Sequence, residues 1–208
     1  MKILILGATG GTGQQLVSQA LEKGYEVTAF VREPSKLKQV HPKLTIVKGN
    51  VLDKASLSKA LEGKDVVLSA LGVGMSLKPN HLIANATELL IPAMNTAGVK
   101  RIIFLSAFGV GETFNQANFI QKLMYRFVVK DVFADKEIGD NMLRSSSLDW
   151  TLVYPTGLTN GTQTGKYRVG ERLPMKGFPK ISRADVAEFM IQQINSREWL
   201  KKIAVISY

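Results

Sequence analysis

The sequence predicts an α/β fold, a doubly wound parallel sheet in three layers forming a single domain, and three observations predict it. Short runs rich in Ile, Val and Leu recur at residues 2–6, 26–31, 44–47, 65–69, 101–105 and 150–153. Near-continuous apolar strands of this kind are buried on both faces, as in parallel sheets covered by helices. Helical patterns fill the intervals between them, and a glycine-rich turn, Gly7 to Gly13, stands at the first strand–helix junction.

Taken in order, the strand at 2–6 feeds the glycine turn and then a helix over 12–23. The strands at 26–31 and 44–47 are followed by a helix over 54–61. After the strand at 65–69, a third helix spans about 80–96, where Leu82, Ile83, Ala86, Leu89, Leu90, Ala93 and Ala97 recur at three- and four-residue intervals and Gly98 supplies a stop. Pro92 interrupts that pattern, so the expectation is a kink or a shorter helix. Ser182, Arg183, Ala184 and Asp185 open a further helix, with Ser182 and Asp185 suited to capping its free amides. The Thr/Gly-rich stretch 156–167 reads as a loop. No repeat, low-complexity tract or linker marks a domain boundary.

Composition excludes several classes of function. Of 208 residues, 45% are hydrophobic and 21% charged, so the chain can bury a core. No apolar run is long enough to span a membrane. Residues 1–6 already read as a strand, so no signal sequence is expected and the cytoplasm is the expected compartment. The chain has no cysteine, which removes disulfides, thiolate nucleophiles and sulfur-ligated zinc. His41 and His81 fall in no metal-ligand spacing, so no metal is expected. No GxSxG motif points to a serine hydrolase. With 27 Lys and Arg against 17 Asp and Glu the formal net charge is +10. These cations are scattered and accompany no nucleic-acid motif, so they read as an aid to binding phosphate-bearing ligands, and no specific nucleic acid is expected as partner.

The glycine turn Gly7-Ala8-Thr9-Gly10-Gly11-Thr12-Gly13 carries the most chemistry. Its glycines let a strand reverse into a helix and let backbone approach a diphosphate, while the helix presents free N–H groups and the positive end of its dipole. Its G-x-x-G-x-x-G spacing is wider than that of many dinucleotide dehydrogenases. A tight structural turn is the alternative, but position at the first βα junction favours dinucleotide binding. The second strand ends at Arg32 where an NAD-preferring site would carry an acid. Arg32 and Lys36 can neutralise and hydrogen-bond a 2′-phosphate, which points to NADP(H). Glu33 is a competing ribose acceptor, and a solvated basic loop is the plain alternative.

Ligands of open α/β sheets bind outside the carboxyl ends of the strands. Asn50 and Val51 follow the third strand and can hold adenine. Leu71 and Gly72, with Val73, follow the fourth and can flank the diphosphate and nicotinamide. Ser106 follows the fifth; Tyr154, Pro155 and Thr156 end the sixth. Each is also compatible with an ordinary strand end.

Together GATGGTG, VREPSKL, GNVLD, SALG, GVKRIIFLSAFG, LRSSSLDWTLVYPTGLT and KISRADVA resemble the atypical short-chain dehydrogenase/reductase superfamily nearly end to end. Within it the chain is most similar to the NAD(P)H-binding flavin reductase/biliverdin reductase B type, with NmrA-like regulators as more distant relatives. The resemblance implies a Rossmann-type, NAD(P)-binding domain over 1–208, with a small substrate-covering region around 108–135 and 156–180. It implies that Gly7, Thr9, Gly10, Thr12, Gly13, Arg32, Lys36 and Ser106 face NADP(H).

The Tyr-x-x-x-Lys pair that protonates ketone-derived alkoxides in short-chain reductases is missing: Tyr125 is followed by Lys130, one position too far. A one-residue shift turns a helical side chain by about 100°. A delocalised acceptor needs less help, because its own ring spreads the charge left by hydride transfer. Ser106 is the first candidate beside nicotinamide. Lys136, in a region resembling the family's active-site helix, is a candidate for stabilising a reduced anion or relaying a proton, and a solvated lysine is its alternative. Tyr154 is a candidate to stack on an acceptor or close the pocket floor. Aromatics at Phe108, Phe114, Phe119, Tyr125, Phe127 and Phe133 suggest an acceptor lid. The spacing of Phe119, Ile120, Leu123, Met124, Phe127 and Val128 equally suits a core-facing helix, with a membrane-surface or oligomer face as further alternatives.

The expected function is therefore an NADPH-dependent oxidoreductase acting on a flavin, quinone or tetrapyrrole-like small-molecule acceptor. The alternative is a non-catalytic NADP(H)-binding sensor or regulator. The sequence leaves oligomeric state open.

Overall fold

Alternate residues of the first strand point into different cores, and this organises the molecule. The computed structural model describes residues 1–72, 81–127, 129–175 and 177–208, except for the side chains of Phe119, Ile120 and Met124. Its elements are β1 (Lys2–Leu6), α1 (Gly11–Glu22), β2 (Glu26–Val31), β3 (Leu44–Lys48), α2 (Lys54–Leu61), β4 (Val66–Ser69), α3 (Leu82–Ala97), β5 (Arg101–Leu105), α4 (Phe119–Phe127), α5 (Lys130–Ser145), β6 (Asp149–Pro155), β7 (Gly157–Thr159), β8 (Arg168–Gly170), β9 (Lys180–Ser182), α6 (Arg183–Gln192) and β10 (Lys202–Ser207). Ile3 and Ile5 join Leu16, Val17 and Ala20 of α1 and Val186 and Met190 of α6 in one apolar cluster. Leu4 and Leu6 join Leu57 of α2, Ile83 and Leu90 of α3 and Leu143 of α5 in the other. Burial on both faces explains why the strand is apolar at every position after Lys2.

The strands form one eight-stranded sheet in the order β3-β2-β1-β4-β5-β6-β10-β8. Its pairings are parallel except at the edge, where β8 runs antiparallel to β10. Sheet and flanking helices make the three-layer, doubly wound α/β architecture. A short parallel pair, β7 with β9, lies outside the sheet. The order reverses at β1, whose neighbours are β2 and β4. This is the topological switch point, where the carboxyl ends of the strands open a ligand crevice.

The six expected strands and four expected helices are present with small changes of boundary. The expected break at Pro92 does not shorten α3, which runs unbroken to Ala97. Pro92 and Glu88 both lie on the exposed face, so the carbonyl that proline leaves unbonded can be solvated. The expected start of that helix near Asn80 lies outside the described residues.

The core-facing stripe expected on α4 does not hold for its described side chains. Leu123 is 51% and Phe127 74% exposed, whereas Gln121 and Tyr125 are buried. The buried face is thus set by the 121/125 pair, one turn apart. Phe119, Ile120, Met124 and Val128 belong to that expectation but lie outside the description. Phe108 is buried, and Tyr125 packs between Phe114 and Phe133 at ring-centroid distances of 6.4 and 4.9 Å. These aromatics therefore belong to the cluster that also holds Phe104 and Tyr154.

Candidate active site

The glycine turn is forced by close backbone contact. Gly7 has φ +76°, and a Cβ there would stand 2.5 Å from the Ala70 carbonyl oxygen at the end of β4. A Cβ on Gly13 would overlap the Gly7 carbonyl oxygen. These glycines bring the start of α1 against the ends of β1 and β4. Gly10 caps α1 without a side-chain hydrogen bond, and the first helical turn has no acidic residue. The leading amides of α1 are left with the open, positively polarised end that a diphosphate fits.

The other expected cofactor residues lie at or just beyond the carboxyl ends of the strands or in the glycine turn. Thr9 contributes its carbonyl to Gln14 Nε2 at 3.1 Å. Thr12 is buried, and Gly11 carries the Arg183 side chain above it. Arg32 is exposed just beyond β2. Lys36 Nζ donates to Glu33 Oε1 at 2.9 Å, both side chains being largely exposed. A surface pair of this kind is worth about 0–1 kcal/mol, so an incoming phosphate can draw Lys36 away. Asn50 is exposed and accepts from the Leu52 amide at 3.1 Å, and Val51 is buried. Leu71 is half-buried and Gly72 exposed, while Val73 lies outside the described residues. Pro155 and Thr156 are buried, and Thr156 Oγ1 donates to Ser207 Oγ at 3.1 Å. That bond turns the Thr156 hydroxyl toward β10.

The three expected catalytic residues meet around a fourth. Ser106 follows β5, and its amide donates to the Val153 carbonyl of β6 at 2.8 Å, which sets it beside Tyr154. Ser106 Oγ donates to Asp140 Oδ2 at 2.5 Å, and Tyr154 Oη donates to the same oxygen at 2.7 Å. Asp140 Oδ1 is buried with no hydrogen-bond partner. Lys136, one turn earlier on α5, donates from Nζ to the Leu105 carbonyl at 3.3 Å. Exposure is 4% at Ser106 and 2% at both Asp140 and Tyr154. Tyr154 therefore offers no open ring face for stacking.

Burial dominates the electrostatics. Desolvation pushes the Asp140 carboxyl above the usual carboxylate range, against the opposing effects of Ser106, Tyr154, Lys136 and Arg144. Desolvation lowers the Lys136 ammonium, opposed by Asp140 and Asp135. Tyr154 is pushed upward by burial and then by the charge of Asp140, so it serves as a neutral donor and not as a phenolate. Asp135 has a separate duty. Its two oxygens accept from the Ile83 and Ala84 amides, both at 2.9 Å, capping α3 from α5.

Asp140 is the residue that sequence reading missed. Its available signal was the four-residue spacing from Lys136, which puts both on one helix face. Burial of that face was not evident, because Asp131, Asp135, Lys136, Glu137 and Asp140 give the segment the look of a solvated helix.

The glycine cradle and the open α1 terminus fit a dinucleotide, and the family model for NAD(P)H-binding proteins matches residues 7–197. The chain belongs to the NAD(P)H-binding family. Solved structures share this architecture. A Veillonella parvula short-chain dehydrogenase/reductase solved in complex with NADP is 18% identical, with a TM-score of 0.84 over 100% of this chain and 94% of that one. ChuY of Escherichia coli O157:H7, described as an anaerobilin reductase, is 22% identical, with a TM-score of 0.82 over 99% and 96%. These likenesses establish the fold. The photosystem II assembly factor Ycf39 of Synechocystis is 28% identical over 93% of this chain, which spans 58% of its length. A nicotinamide dinucleotide, NAD(P)H, is accordingly the cofactor of this family member. Among the described residues, no cluster of His, Asp and Glu could hold a metal, and no helix is long and apolar enough to cross a membrane.

Proposed function

We propose that this family member is an NADPH-dependent reductase that delivers hydride to a delocalised acceptor such as a tetrapyrrole, flavin or quinone. The observation that carries this reading is the convergence of Ser106 and Tyr154 on one buried oxygen of Asp140, beside Lys136, at the carboxyl ends of β5 and β6. NADPH supplies the hydride. The α1 amides hold its diphosphate, with Arg32 and Lys36 at the 2′-phosphate and Asn50 and Val51 toward adenine. Leu71, Gly72, Pro155 and Thr156 border the nicotinamide side.

An acceptor that gains hydride also gains negative charge and needs a proton. When the Asp140 carboxyl carries a proton, which its raised pKa favours, it can donate to Ser106 Oγ, freeing the serine hydroxyl to give its own proton to the acceptor and replacing it. Tyr154 holds Asp140 in register through its own donated bond. Lys136 adds a nearby cation that favours a reduced anionic acceptor. The stretches 108–135 and 156–180 form the acceptor's cover in this proposal. Support comes from bonds tying them together: Asn118 Nδ2 to the Gly177 carbonyl at 2.8 Å and Gln116 Nε2 to the Glu171 carbonyl at 3.4 Å. A cytoplasmic setting suits a chain without cysteine.

A second reading, an NADP(H)-binding regulator without turnover, draws on the slight exposure of Ser106 and on the missing Tyr-x-x-x-Lys pair. One experiment separates the two. Oxidation of NADPH and NADH is followed with FMN, riboflavin, a quinone and biliverdin, beside direct cofactor titrations. Acceptor-dependent NADPH oxidation supports the reductase; tight binding with no oxidation across the panel overturns it in favour of the regulator.

A further inference from the structure

We infer that Arg183, at the start of α6, is the clamp for the dinucleotide diphosphate, set over the glycine turn from the opposite side of the chain. The inference rests on NADP(H) lying at the α1 terminus. Arg183 Cδ stands 2.7 Å, and Nε 2.9 Å, from where a Cβ on Gly11 would be. A side chain 172 positions away thus fills the place that any non-glycine residue at position 11 would take. Gly11 is the first helical residue of α1, so the Arg183 side chain runs beside the first turn of that helix.

The electrostatics of this arrangement call for an anion. Arg183 makes no ion pair among the described residues; its one hydrogen bond runs from Nη1 to Asn160 Oδ1 at 2.7 Å. The α1 terminus beneath it is positively polarised, with no acid in its first turn. A permanent cation is therefore held against a second positive centre with only a neutral amide oxygen as partner. The adjacent acid on α6, Asp185, is committed elsewhere: it accepts from the Thr164 and Gly165 amides, Ser182 Oγ and Tyr208 Oη. A diphosphate satisfies both positive groups together, taking amide hydrogens from α1 and a forked pair from the guanidinium. Asn160, in the loop after β7, presets the guanidinium for this contact.

Titration of NADPH and NADH against the full chain and its Arg183→Ala, Arg183→Lys and Gly11→Ala variants tests the clamp. Arg183→Ala should raise the dissociation constants of both cofactors by about tenfold or more, because the diphosphate is common to both. Arg183→Lys should recover part of the loss, since it restores charge without the fork. Gly11→Ala, which pushes the guanidinium aside, should weaken both while leaving all charges in place. The salt dependence of NADPH binding should also be shallower in Arg183→Ala. Unchanged affinity in Arg183→Ala overturns the clamp, and a loss confined to NADPH overturns it by moving Arg183 to the 2′-phosphate. Should Arg183→Ala fail to fold, wild-type affinity in the other two variants overturns it equally. A wild-type chain that binds neither cofactor refutes the cofactor reading itself, an outcome distinct from failure of the clamp alone.

Discussion

Ser106 and Asp140 are 34 residues apart in sequence, yet Ser106 Oγ donates to Asp140 Oδ2 at 2.5 Å in the buried end of the sheet. Asp140→Asn retains the shape and an acceptor oxygen but removes the carboxyl that can carry a transferable proton. Acceptor-dependent NADPH oxidation should fall by about 10²–10⁴-fold, the usual worth of a general acid. NADPH affinity, measured by titration, should stay as in wild type; retained turnover would remove Asp140 from the chemistry.

The same carboxyl should leave a mark on stability. Desolvation raises its pKa in the folded state, so the folded chain holds this proton more tightly than the unfolded chain does. The stability so contributed is fully present below the unfolded value, near 3.9, and is lost as pH rises through the raised folded value. Asp140→Asn has no such loss. Thermal melts across mildly acidic to neutral pH should show the variant gaining on wild type as pH increases, and a constant difference would contradict the shift.

Ser106→Ala removes the hydroxyl proposed to face the nicotinamide while Tyr154 still donates to Asp140. Turnover should drop with NADPH affinity nearly unchanged. Tyr154→Phe acts through Asp140 alone, so it should move the pH profile of turnover more than it moves KM. Wild-type turnover in Ser106→Ala, or an unmoved profile in Tyr154→Phe, would contradict these roles.

Arg32→Asp places an acid where the 2′-phosphate is proposed to lie. Binding titrations should show a much larger loss for NADPH than for NADH. Equal losses would mean that Arg32 does not meet the 2′-phosphate.

Gly13→Ala tests the turn itself. Its Cβ would overlap the Gly7 carbonyl, which belongs to backbone and cannot rotate away. Overpacking of this kind costs about 1–3 kcal/mol, to be read as a lower denaturation midpoint, together with weakened binding of both dinucleotides.

Local features explain which parts of this arrangement were legible in the sequence. The strand Lys2–Leu6, the turn Gly7 to Gly13 and the helix after it announce themselves within neighbouring residues, because glycine turns, continuous apolar runs and helical spacing are short-range signals. Ser106 was recognisable from its place at a strand end. By contrast, β10 is not anticipated, although its apolar run is as plain as the others; the short strand β7 lies in the stretch 156–167 that reads as loop, and β8 and β9, three residues each, are too short to show a pattern.

The sequence by itself determined the layered α/β class, the glycine turn and the basic residue after β2, since each depends on residues adjacent in the chain. Tertiary structure decided what Asp140 and Arg183 are. Both look like ordinary polar residues on helical segments. Only the packing of α5 against the sheet desolvates Asp140 between Ser106 and Tyr154, and only the approach of α6 to α1 lays Arg183 over Gly11. Burial and the proximity of distant segments set the chemistry of a charged group, and neither is encoded in its immediate neighbours.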